Sequence, residues 1–199
     1  MSKPKVAVVA VASRLENGGQ RGEALLSGSR NALEKRGLEV VAASRLVWDA
    51  ADALAVVDEL KPAAPDLLVI VHATWVCDTI QYLLVNTVAC PPVLWAVPYT
   101  ETFSLACVQH FGSILRQNHI DYWYVCGLPE DGEAVGTVTR LARTAATAAR
   151  LKKARIALIG PRQTWPYSHR HGLPLALHST QTGWFGTSGT LPISRHRTM

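Results

Sequence analysis

Charge is sparse in this chain: Asp, Glu, Lys and Arg make up 18% of 199 residues, and Phe, Trp and Tyr only 7%. A disordered chain needs the opposite balance, and at 48% hydrophobic residues there is enough apolar material here for one sizeable core. No uninterrupted apolar run approaches the ~20 residues that span a bilayer. The run Val6–Ala12 is too short and too β-branched for a secretory leader, so it reads as a first strand.

Cysteine is scarce too. Cys77, Cys90, Cys107 and Cys126 sit in or beside apolar segments, without CxxC spacing. That pattern favours reduced thiols buried in the core and a cytoplasmic location. The net charge of +5 is unevenly distributed. Residues 1–159 hold all 15 acids and 16 of the 20 bases, whereas residues 160–199 hold Arg162, Arg170, Arg195 and Arg197 and no acid. With no basic stripe in the first part, nucleic-acid binding is not expected, and neither is a membrane partner.

What is present is alternation. Apolar runs at Lys5–Ala12, Leu38–Ala43, Asp66–Val71, Pro92–Val97, Tyr122–Cys126 and Arg155–Ile159 predict strands. Between them, helical spacing predicts helices over Gly22–Arg36, Ala50–Leu60, Asp78–Val85, Thr102–Gln117 and Gly132–Arg150, with Gly37 as a left-handed stop to the first. Parallel strands need crossover helices, so the expected fold is a three-layer α/β domain. About six mainly parallel strands in flavodoxin-like order carry helices on both faces. Residues 1–162 form that domain. Residues 163–199 follow neither period and read as an irregular or disordered basic tail, either a native extension or, the favoured reading, a truncated or frame-shifted reading of a longer gene.

In such a sheet, ligands gather outside the carboxyl ends of the strands. After the first strand comes the polar loop Ser13–Arg21, which brings Arg14, Gln20 and Arg21 to that end and could offer two guanidinium forks to an anion or a polyol. It is neither GxGxxG nor a Walker loop. After the third strand come His72-Ala73-Thr74-Trp75, where an indole at a strand tip offers a sugar an apolar face and an N–H. His72 itself reads as a satisfied core histidine. After the fourth, Pro98-Tyr99-Thr100-Glu101-Thr102 reads as a capping turn, Thr100 or Thr102 capping the next helix and Glu101 opposing its dipole. No catalytic motif and no metal-ligand cluster is visible.

The segments HATWVCDTIQYLLVN, PVLWAVPYTETFSLACVQHFGSILRQNHIDYWYVCG and KKARIALIGPR together resemble the amino-terminal domain of the L-fucose and L-arabinose isomerase superfamily. Trp75, Trp95, Thr100-Glu101 and Gly127 carry the resemblance, which spans roughly residues 5–162. It implies an aldose–ketose isomerase in which Mn2+, bound by later domains, serves an ene-diol proton transfer. This chain would then hold neither metal ligands nor catalytic groups and would be inactive alone. The family's first domain lends an Arg from the loop after the first strand and a Trp from the turn after the third to an inter-subunit sugar site. The resemblance thus assigns Trp75, with Arg14 or Arg21, and Gln20 beside them, in a homo-oligomer. The rival reading is a non-enzymatic flavodoxin-like module binding a small molecule or a protein partner.

Overall fold

The computed structural model describes residues 3–155. Five strands, β1 (Lys5–Val11), β2 (Glu39–Ala42), β3 (Leu67–His72), β4 (Pro92–Ala96) and β5 (Trp123–Cys126), alternate with five helices, α1 (Gly22–Lys35), α2 (Ala50–Leu60), α3 (Asp78–Val88), α4 (Ser104–Gln117) and α5 (Gly132–Lys153). Every strand pairing is parallel, in the order β2-β1-β3-β4-β5. That is the flavodoxin-like arrangement, with helices on both faces of the sheet.

Burial explains why the strands read as they do. β3 and β4 are buried at every residue and β1 at all but its first, which is why β-branched and aliphatic side chains run through them without alternation. β2 and β5 are the edges among the described strands and keep partly exposed side chains, including Trp123 and Tyr124. α1 closes on Gly37, whose φ of 82° supplies the left-handed step expected there. The Asp49 carboxylate caps α2 by accepting the N–H groups of Ala51 and Asp52.

Three expectations need correction. α3 runs three residues past Val85, because Val88 continues its buried stripe before Ala89 turns left-handed. α4 starts at Ser104 without a side-chain cap. Thr102 is nearly buried and its hydroxyl donates to the Tyr99 carbonyl, so the Tyr99–Thr102 segment forms its own turn instead of capping the helix. Finally, Cys77 and Cys126 are exposed, one at the entrance to α3 and one at the end of an edge strand; only Cys107 is fully buried.

The expected sixth strand falls at residues 155–159, all but Arg155 outside the described residues, as do the 162 boundary and the basic tail. The chain divides into units at residues 1–148 and 149–199, the division falling within α5. Among the described residues no helix is long and apolar enough to cross a membrane.

Candidate functional site

The carboxyl ends of β1, β3 and β4 deliver three loops to one end of the sheet, and the Glu16 side chain bonds across them. Glu16, in the loop after β1, uses one carboxylate oxygen to accept the Trp75 N–H at 3.0 Å and the Phe103 N–H at 3.4 Å. The Trp75 amide belongs to the turn after β3, and Phe103 is the residue from which α4 departs. A second joint lies below: the Ser13 N–H donates to the Thr74 hydroxyl at 2.7 Å. Glu16 has no periodic or motif signature. Its role arises from pairing across 59 and 87 residues, which no local pattern in the sequence registers.

Trp75 stands where the strand-tip reading put it. It is half-buried, packed against the core at its base and against the His110 imidazole of α4, with ring centroids 5.2 Å apart and tilted 32°. His110 is held in turn by the Asp78 carboxylate, Nε2 to Oδ2 at 3.1 Å. The indole is therefore backed by an oriented ring.

Arg14 and Arg21 diverge. The Arg14 guanidinium lies over the Trp48 ring at 4.9 Å, toward the segment that enters α2. Arg21 crosses to the loop after β4, where it lies over the Tyr99 ring at 4.3 Å and pairs with Glu101 at 2.5 Å. The carboxyl of Glu101 is held below its ordinary range, first by its own backbone N–H and then by Arg21. Glu101 thus belongs to an ion pair with the β1 loop more than to the α4 dipole. Gln20 is exposed, and its side-chain oxygen accepts the Gly18 N–H at 3.2 Å.

Beneath the Trp75 turn lies a buried polar relay. His72 Nε2 meets Gln81 Oε1 at 2.7 Å, and the Gln81 amide donates to the Val76 carbonyl and toward Cys107 Sγ. His72 is in the core as expected, and among the described residues its Nδ1 makes no hydrogen bond of good geometry. Burial pushes its pKa down, and a neutral ring results. Burial also raises the Cys107 thiol to about 11.

Some sheets with this strand order hold a flavin at the switch point beside β1, others hold none. Part of the loop after β1 is already occupied by the protein itself. The Ser13, Leu15, Gly18 and Arg21 amides are already engaged by Thr74, Ser13, Gln20 and Gly18. The space over Gly18 is taken by the Thr102 methyl group, 2.7 Å from where a Cβ would stand, and that over Gly19 by the Trp48 ring at 2.9 Å. The Cβ side of both glycines is thus covered by protein side chains. Among the described residues no three His, Cys, Asp or Glu side chains converge as a metal site would require.

No family model matches the chain, and no curated protein does. Among solved structures it is similar to a flavodoxin from the domain Archaea, at 11% identity and a TM-score of 0.40, over 73% of this chain and 99% of that one.

Proposed function

We propose that this chain is the sugar-facing amino-terminal domain of an aldose–ketose isomerase of the L-fucose and L-arabinose isomerase type. In this reading it supplies substrate contacts at an inter-subunit site and no catalytic group. The observation that carries it is the setting of Trp75. A half-buried indole at the carboxyl end of β3 is held by its backbone on Glu16 and packs its ring on His110. Such a surface suits a polyol, whose C–H face packs on the ring while its hydroxyls seek donors at the rim.

Arg21 is the stronger of the two arginine candidates. It reaches the β4 loop that Glu16 ties to the Trp75 turn, whereas Arg14 leans away toward Trp48. Gln20 shapes the β1 loop through Gly18. In the intact enzymes a divalent metal such as Mn2+ holds adjacent sugar oxygens and steadies the charge of the ene-diolate. Among the described residues no group forms a site for it, and in this reading their part is to bind and orient the sugar.

Calorimetric titration of the full chain with L-fucitol and L-arabitol, and separately with FMN, tests the reading. A partial site should bind a polyol weakly, with a Kd of order 1 mM, about 4 kcal/mol. Trp75→Ala should abolish that heat. FMN binding without polyol binding would replace this reading with that of a flavodoxin-like module. Ketose formation from L-fucose by the purified chain with Mn2+ would overturn the assignment as non-catalytic.

A further inference from the structure

Glu16 lies in the β1 loop and accepts backbone N–H groups from both the β3 turn and the entry to α4. Resting on the reading above, we infer that Glu16 is a positioning residue that sets the Trp75 turn and the entry to α4 as one unit, so that sugar affinity depends on a carboxylate that need not touch sugar.

Three features of its geometry support this. Both of its partners are backbone N–H groups, so the bonds fix main-chain position and not merely a rotamer. Both converge on the same oxygen, Oε2, so the Trp75 turn and the start of α4 cannot shift independently without losing one bond. Lastly, α4 carries His110, the ring that backs Trp75, so one carboxylate governs the indole from two directions: through its own amide and through the helix that presents its stacking partner. The Ser13–Thr74 bond joins only the β1 and β3 loops, and the Arg21–Glu101 pair only the β1 and β4 loops. Ser104 at the start of α4 donates to the His72 carbonyl and accepts the Val97 N–H, and Cys107 Sγ accepts the Val76 N–H, so α4 is also tied to the ends of β3 and β4. Of these contacts, Glu16 is the one that brings in the β1 loop as well.

The test compares Glu16→Ala and Glu16→Gln with the unaltered chain. Amide hydrogen exchange is read at Trp75 and Phe103 without ligand, and L-fucitol affinity by titration. In Glu16→Ala both amides should exchange about tenfold faster, with Leu94 in the sheet unchanged, and affinity should fall about tenfold. Glu16→Gln keeps an acceptor oxygen and should recover much of both, which a purely structural lesion would not do; it also carries the test if the alanine variant fails to fold. Unchanged exchange at the two amides overturns the inference. So does faster exchange with full affinity retained. If the unaltered chain binds no polyol while the exchange changes appear as stated, the sugar reading fails and the Glu16 clasp stands.

Discussion

The Trp95 indole N–H donates to the Gly127 carbonyl at 2.9 Å, joining the fully buried side chain of β4 to the turn that follows β5. Trp95→Phe keeps the ring packing but leaves that carbonyl without its donor. Unfolding in urea should show a loss of about 1–3 kcal/mol, as a lower midpoint with an unchanged slope.

His72 makes stability depend on pH. Its folded pKa lies below the ordinary histidine value because burial disfavours the charged ring. The unfolded chain therefore binds a proton that the folded chain refuses. The contribution of neutral His72 is complete above pH ~6.5 and declines as pH falls below it, toward the folded pKa. Stability followed by urea midpoint from pH 7.5 to 5 should fall. In His72→Gln the part of the decline due to this residue should disappear; an identical slope would show that other groups cause it.

Thiol reactivity should split the cysteines in two. Cys77 and Cys126 are exposed, whereas burial raises the Cys107 thiol to about 11 and the half-buried Cys90 thiol to about 12. Ellman's reagent at pH 8 should modify Cys77 and Cys126 promptly, and Cys90 and Cys107 only on unfolding.

Gly18 holds a φ of 99°, with the Thr102 methyl in the space a Cβ would need. Gly18→Ala should cost about 1–3 kcal/mol. Adding Thr102→Ser should recover the steric part and leave the backbone part. A full recovery would mean that the left-handed conformation contributes nothing.

The sheet was legible because burial writes itself locally. A strand enclosed on both faces, such as Val6–Val11 or Leu67–Val71, can hold only apolar residues and so announces itself in a short window. Trp75 was legible for the complementary reason, as a large ring placed just beyond such a run. The turn after β4 was misread. Thr102 has the composition of a cap, yet its position is decided by contact with Gly18, 84 residues away in the chain. The four cysteines look alike in sequence, and only the neighbours that α4 and the sheet edge provide, or withhold, separate Cys107 from Cys126. Glu16 is the extreme case, an ordinary loop glutamate until two distant backbone amides meet it.

The proposed function requires that the Trp75 face receive a sugar. It is tested most directly by the indole N–H resonance of Trp75, assigned with Trp75→Phe and followed by nuclear magnetic resonance as L-fucitol is added to the full chain. The account predicts a saturable shift of that resonance, with Trp95, buried and bound to Gly127, unmoved. A Trp75 signal that stays in place throughout the titration would contradict it.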